Sequence, residues 1–333
     1  MLRHALTLAL LATAPLAAAT PSLGDDIDRL VDQTVARYDL PGIAVGVIQD
    51  GEIVHVATRG KLSVTGQAAV DGDTLFKIAS NTKAMTGAVL ARLVQAGKLA
   101  WDDPVVKHLP DFRMHDAWVT RHMQVRDLLI HNSGLGLGAG DLMLWPEPNH
   151  FDRADIIAGL AHLKPVTSFR AGYAYDNLLY VVAGEVAAAA AGKPFNQLLR
   201  EEVFAPLGMD GCQAGDWSPM QVSNVAQPHY RTARGNVLGR TDGEWEADFP
   251  SMAAGGVRCS VNDMLRWSQA LLDPEKAPGW LDATQRRALW TAHMPMPIGK
   301  RLRDWHIITT LAIKCSIDIA DAVNFHGIKA PWN

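Results

Sequence analysis

Cysteine is scarce in this chain: Cys212, Cys259 and Cys315 are the only three among 333 residues. Their odd number and wide spacing exclude a disulfide framework; a single bridge stays open, with no pairing that the sequence selects. Paired metal ligands are missing as well. The 12 histidines contain no H-x-x-x-H or H-x-H pair, and no Cys/His spacing fits a zinc site, so neither a metal nor another cofactor is expected. No block of basic residues occurs and the net charge is -4, which argues against nucleic acid or anionic lipid as a partner. Internal repeats and low-complexity linkers are absent too. With 48% hydrophobic and 20% charged residues, the composition is that of a globular protein with a substantial core.

The first residues differ in character. Arg3 and His4 precede an apolar run over 5–14, broken only by Thr7 and Thr13, and Ala17-Ala18-Ala19 follows with small residues at A-x-A spacing. A basic start, a short apolar stretch and a small-residue site predict a signal peptide over 1–19, cleaved after Ala19. The run is too short to span a bilayer. No membrane span is expected after its removal, and the mature chain is expected in the periplasm or secreted.

Beyond it, residues 25–38 show helical periodicity through Ile27, Leu30, Val31 and Val35, ended by Pro41-Gly42. Two β-rich runs, 43–48 and 53–56, flank Asp50-Gly51 and predict a hairpin. Helices are predicted over 79–96, 120–131, 152–163, 177–191, 195–203 and 282–293. Residues 209–250, rich in Gly, Pro, Asp, Gln and Ser, read as irregular loop. Ser260, with Asp263 three residues on, reads as the cap of a helix running to 272. An early hairpin is marginal alone and must find later strands, so a mixed α/β (α+β) fold is expected.

Two short patterns carry chemistry. Ser80-Asn81-Thr82-Lys83 lies where an extended segment enters a helix. A serine in the first helical turn sits near unpaired N–H groups and the positive end of the dipole, and a lysine three residues on shares its face. Buried among apolar neighbours, such an amine acts as a base. Tyr175-Asp176-Asn177 opens an apolar helix; a Tyr hydroxyl beside a Lys can relay protons, and an Asn amide can hold a substrate carbonyl. Taken singly, Ser80 also reads as a helix cap with Lys83 solvated, while Tyr175 reads better as a core aromatic and Asn177 as a cap.

Together, S-x-x-K at a helix start and Y-x-N some ninety residues later resemble the serine β-lactamases of class C and their penicillin-binding and esterase relatives. The stretches 75–80, 126–135 and Ala254-Gly255-Gly256-Val257 are similar to the same family, and the resemblance runs from about residue 25 to about 300. It implies a β-lactamase/transpeptidase-like fold: an antiparallel sheet flanked by helices, with an inserted helical subdomain, over 20–306. It also implies acyl transfer, with Ser80 as nucleophile, Lys83 and Tyr175 as the other catalytic residues and Asn177 binding substrate. The oxyanion would rest on the Ser80 N–H and a second N–H from an edge strand. The substrate would be a small molecule or peptide carrying an amide, lactam or ester bond. Neither the nucleophile nor the fold selects among a β-lactamase, a D-amino-acid peptidase and an esterase. A non-catalytic penicillin-binding or sensing member is the alternative, and a purely structural domain a third.

The family's third motif, K-T-G or H-T-G, is not found. His326-Gly327 is the nearest candidate, and from Ile307 the family pattern is lost. The C-terminal strands are therefore expected to be incomplete, and 307–333 to be an atypical tail, produced for example by a frameshift. An uninterrupted reading frame with no coding remnant downstream would refute that origin. His131 reads as a helix-end residue complementing the dipole rather than as a base. Asp176 reads as exposed at a helix start, with tuning of Lys83 as the alternative. Trp145 and Trp217 lie in loop-like stretches that could line a cleft.

Overall fold

Helix α1 (Leu23–Tyr38) starts with a capping box: Ser22 accepts the Asp25 N–H while the Asp25 carboxylate accepts that of Ser22. The computed structural model describes residues 22–145, 150–215, 222–239, 250–296 and 310–311. The expected signal peptide, Trp217 and all of the tail except Thr310 and Leu311 lie outside them. Strands β1 (Gly42–Gln49) and β2 (Glu52–Gly60) form the expected antiparallel hairpin. Asp50 and Gly51 both take positive φ, 54° and 82°, the backbone that a two-residue hairpin turn requires.

Strand β3 (Phe76–Lys77) runs into a 3₁₀ turn, Ala79–Asn81, and then into α2 (Thr82–Gln95). Helices α3 (Val105–His108), α4 (Ala117–His122), α5 (Arg153–Gly159), α6 (Leu178–Ala191) and α7 (Phe195–Leu199) follow. Then come β4 (His229–Thr232), β5 (Gly235–Leu238) and α8 (Met252–Gly255). Strand β6 (Arg258–Cys259) returns to pair antiparallel with β3, Phe76 opposite Cys259. The described residues between β3 and β6 are thus an insertion, mostly helical, closed by that pair. Helices α9 (Val261–Leu272) and α10 (Ala283–Trp290) follow; β7 (Met294–Pro295) pairs with β8 (Thr310–Leu311). Helices α1 and α9 both pack on the hairpin. Among the described residues β1 pairs only with β2, and the ladders are all two-stranded.

The core centres on α2, whose residues from Thr82 to Ala91 are all buried, so the helix is enclosed on every side. It packs against α6 and α8. A Cβ on Gly184 of α6 would stand 2.8 Å from the Ala253 Cβ of α8, so the glycine sets how closely those helices approach. Among the described residues no single helix is long and apolar enough to cross a membrane. Leu178–Ala191 and Phe195–Leu207 pass together on length and composition, but they are bent by 82° and α6 is largely buried in the core.

Three expectations need correction. The helix expected over 120–131 does not form: α4 stops at His122, and the 3₁₀ turn Val125–Leu128 replaces the rest. The N–H groups of Val125 and Arg126 are taken by the carbonyls of Asp103 and Trp101, and that of Gln124 by the Asp127 carboxylate, so no i→i−4 ladder is available. Within the expected irregular stretch, β4 and β5 form a hairpin around Ala233-Arg234. It buries little apolar surface, since Tyr230 and Val237 stay exposed, and left no clear alternation to read. The start expected for the helix over 79–96 is also different: Ala79 takes φ 45°, so Ser80 sits in a tight turn just ahead of α2.

Cys212 and Cys259 form the bridge that the sequence left open. Gln213 and Arg258 exchange two backbone hydrogen bonds beside it, at 2.8 and 3.1 Å. Strand β6 is held by β3 on one edge and by this link on the other.

Candidate active site

Three elements converge on Ser80. The turn Ala79–Asn81 presents it, α2 supplies Lys83 one turn on, and the segment before α6 brings Tyr175 and Asn177. That segment is held by backbone pairing. The N–H groups of Val166 and Thr167 reach the Gly134 carbonyl, that of Arg170 reaches Asn132, that of Ala174 reaches His131, and that of Gly138 reaches Tyr175. Gly134 has φ 88°, and a Cβ there would sit 2.6 Å from the Thr167 carbonyl oxygen, so only glycine fits. Arg170 adds a two-pronged contact to the buried Asp127, at 2.6 and 3.0 Å, which holds its carboxylate firmly.

All four residues singled out by the sequence meet. The Tyr175 hydroxyl donates to Ser80 Oγ at 2.6 Å. Lys83 Nζ donates to Ser80 Oγ at 3.1 Å, to Asn177 Oδ1 at 2.8 Å and to the Ala254 carbonyl at 2.7 Å. Lys83 is fully buried, which removes the reading as a solvated side chain. Its Nζ also lies 4.9 and 5.1 Å from the ring centroids of Tyr175 and Tyr180. Helix α8 and the residue two beyond it are fastened to α2 by two further contacts, Thr86 Oγ1 to the Ala253 carbonyl and the Val257 N–H to Thr82 Oγ1. With Asn177 Oδ1 and the Ala254 carbonyl accepting its two N–H bonds, a neutral amine would be held with its lone pair facing Ser80 Oγ, placed to take the Ser80 proton.

Asp141 is a member that the sequence reading missed. The Asn177 amide nitrogen donates to both its oxygens, at 3.1 and 3.3 Å, which turns the amide oxygen toward Lys83. Burial holds the Asp141 carboxyl above its usual range, against the opposing hydrogen bond from Asn177 and the charge of Lys83. The only sequence signal was its position in a glycine-rich loop.

Asp176 and His131 depart from expectation. Asp176 is not exposed but completely buried; its Oδ1 caps α6 by accepting the N–H groups of Leu178 and Leu179. The capping role open to Asn177 in the sequence thus falls to its neighbour, and the Asn177 side chain instead faces Lys83 and Asp141. Burial pushes Asp176 up to about 7, against the pull of those two N–H groups. His131 ends no helix: it has φ 57°, is 1% exposed, and burial and then the Lys83 charge push it down to about 3. Trp145 is exposed. An apolar cavity of about 710 Å³ lies beside the Ser80 turn, between β1 and α9, lined in part by Val45, Phe76, Ile78, Met264 and Trp290. Among the described residues no group of three or more His, Cys, Asp or Glu side chains is arranged to hold a metal.

The two perturbed groups act on stability with opposite signs. A carboxyl raised on folding, from 3.8 to about 7, loses stability as pH climbs between those values. A histidine depressed on folding, from 6.5 to about 3, loses stability as pH falls across much the same window. The parent's profile is therefore nearly flat from these two groups. Asp176→Asn keeps the Oδ1 cap and removes only the first effect. Its melting temperature is expected to match the parent near pH 4 and to exceed it by a few degrees at pH 8. Melting curves that run parallel from pH 4 to 8 would exclude a buried, reluctant carboxyl here.

The chain also has relatives. It is 28% identical over 296 residues to the unguisins hydrolase ungD′ of Aspergillus campestris, covering 84% of this chain and 53% of that protein. It is 29% identical to penicillin-binding protein 4 of Amycolatopsis lactamdurans, over 84% of this chain and 71% of that one. It is 26% identical to the D-alanyl-D-alanine-carboxypeptidase/endopeptidase AmpH of Escherichia coli K12, over 75% and 62%. The chain spans about half the length of the unguisins hydrolases that it matches. Among solved structures, the octameric penicillin-binding protein homologue from Pyrococcus abyssi superposes with a TM-score of 0.67 at 22% identity, over 82% of this chain and 61% of that one, and so shares the fold. The beta-lactamase family model matches residues 27–302, which takes in β1, the Ser80 turn and the Tyr175 segment alike: the chain belongs to the beta-lactamase family.

Proposed function

We propose that the chain is an exported serine hydrolase that forms an acyl-enzyme on Ser80 with an amide, lactam or ester substrate. One observation carries the reading: a single serine oxygen is contacted by a tyrosine hydroxyl at 2.6 Å and by a fully buried lysine amine at 3.1 Å. As a neutral amine, Lys83 keeps two N–H bonds, donated to Asn177 Oδ1 and the Ala254 carbonyl, and turns its lone pair to Ser80. It takes the Ser80 proton as Oγ bonds to the carbonyl carbon. The oxyanion formed is stabilised by the Ser80 N–H. When the carbon–leaving-group bond breaks, Tyr175 gives its hydroxyl proton to the leaving group and regains one from Lys83. Water then attacks the acyl carbon by the same route, releasing the acid and restoring Ser80.

The named activities of the relatives, among them a hydrolase, an esterase, a carboxypeptidase/endopeptidase and a β-lactamase, support hydrolysis of this bond class. Intact mass after exposure to a fluorophosphonate, and separately to a penicillin, tests the reading. A covalent adduct on Ser80 is expected. An adduct that persists without turnover would favour the sensing member instead, and no adduct on folded protein would refute both.

Export rests on the pattern of residues 1–19 and gains support from the Cys212–Cys259 bridge, since disulfides persist in oxidising compartments. The chain recovered from the periplasm or medium is expected to begin at Thr20. Recovery of the intact chain in the cytosol alone would refute export.

A further inference from the structure

The contacts to Ser80 leave a second buried layer unused. His131 lies behind Tyr175, its ring stacked on the phenol with centroids 4.6 Å apart and planes 27° from parallel. Tyr173 meets the same imidazole edge-on at 5.5 Å, and Tyr180 lies at 5.4 Å. The backbone is gripped as well. His131 Nδ1 accepts the Asp176 N–H at 3.1 Å, and the His131 carbonyl accepts the Ala174 N–H at 2.9 Å. One residue therefore holds the chain on both sides of Tyr175 and the face of the ring between.

This arrangement is costly. A non-glycine residue at φ 57° carries backbone strain of roughly 1 kcal/mol or more. Acceptance at Nδ1 places the proton on Nε2, and that buried N–H has no hydrogen-bond partner among the described residues. Packing alone would be met more cheaply by an aromatic residue, and the backbone conformation by asparagine or glycine. Only histidine combines a flat ring, an acceptor in the δ position and tolerance of left-handed backbone.

We propose that His131 is a positioning residue of the acyl-transfer site: it sets the plane of the Tyr175 phenol and thereby the contact of the tyrosine hydroxyl with Ser80. The inference rests on the function proposed above. His131 touches neither Ser80 nor the substrate; it acts through Tyr175. A neutral imidazole suits this place, because a protonated one would lose its acceptor and set a positive charge near the Lys83 amine that has to take up a proton.

Two variants divide the role. His131→Asn keeps an acceptor and the backbone preference but loses the stack. His131→Phe keeps the stack but loses the acceptor. The rate of fluorophosphonate labelling at Ser80 is measured over a range of reagent concentrations, in the parent and in a Tyr175→Phe background. In the parent, each variant is expected to lower the limiting labelling rate, by up to roughly 100-fold for an ångström of misplacement, with the half-saturating concentration unchanged. In Tyr175→Phe, the same changes should cost little more, because the group being positioned has gone. Equal slowing in both backgrounds, or none in either, would overturn the proposal. Thermal unfolding identifies the folded variants, and either one suffices for the cycle. A parent that does not label at all would instead sink the proposed function, so the two failures are distinguishable.

Discussion

Ser80→Ala is expected to give a folded protein that takes up no fluorophosphonate and turns over substrate about a million-fold more slowly, the scale of nucleophile loss in other acyl-transfer enzymes. The fold should survive because the Ser80 side chain caps nothing: the turn Ala79–Asn81 has no side-chain cap. Two donors lose an acceptor. Lys83 retains Asn177 and Ala254, and Tyr175 is only half buried, so water can reach it. The loss is then about 1 kcal/mol, small against the stability of a domain this size. Unfolding temperature and intact mass measure both halves. An adduct that persists in the alanine variant would assign the reaction to another residue.

Lys83 should matter almost as much, and for a separable reason. Lys83→Met keeps the apolar stem and most of the volume, removes the amine, and is expected to slow acylation by about 10²–10⁴. A charge-only role predicts that Lys83→Arg rescues the rate. A base role predicts that it does not, because guanidinium stays protonated and its planar fork cannot reproduce three bonds from one nitrogen. Acylation at the parental rate in either variant would reject Lys83 as the base. Both variants also leave buried oxygens at Asn177 and Ala254 differently paired, at about 1–3 kcal/mol each. Rates are therefore compared well below the melting temperature of each.

What the sequence disclosed and what it hid follow from the range of the forces involved. Helix α1 and its hairpin were legible because the spacing of Ile27, Leu30, Val31 and Val35 and the Asp50-Gly51 turn act on residues close in the chain. The pair Ser80 and Lys83 was legible because both lie within one turn, and Tyr175 and Asn177 because they share a short segment. The hidden features depend on groups that the chain brings from far away. Residues 125 and 126 lose their helix to carbonyls at 103 and 101, which α-helical propensity does not weigh. The burial of Asp176 and His131 is decided by the tyrosines and helices packed over them, so local composition pointed the wrong way for both. Asp141 lies 36 residues from the amide that it orients, and Cys212 is separated by 47 from its partner.

Gly184 illustrates how far the demands of a site can spread through a protein. It carries no functional group, yet its missing methyl lets α6 lie against Ala253, next to the carbonyl that holds Lys83. Alanine there would act as a wedge, displacing a backbone oxygen without altering any polar side chain. Tolerance to mutation is accordingly uneven. A screen for inactivating changes would collect Gly184 together with Ser80 and Lys83, while exposed positions such as Tyr230 and Val237 of the β4–β5 hairpin would accept substitutions. The boundary of the proposed site, measured by the substitutions it would not tolerate, runs through the packing of α2, α6 and α8 rather than stopping at the groups that touch Ser80.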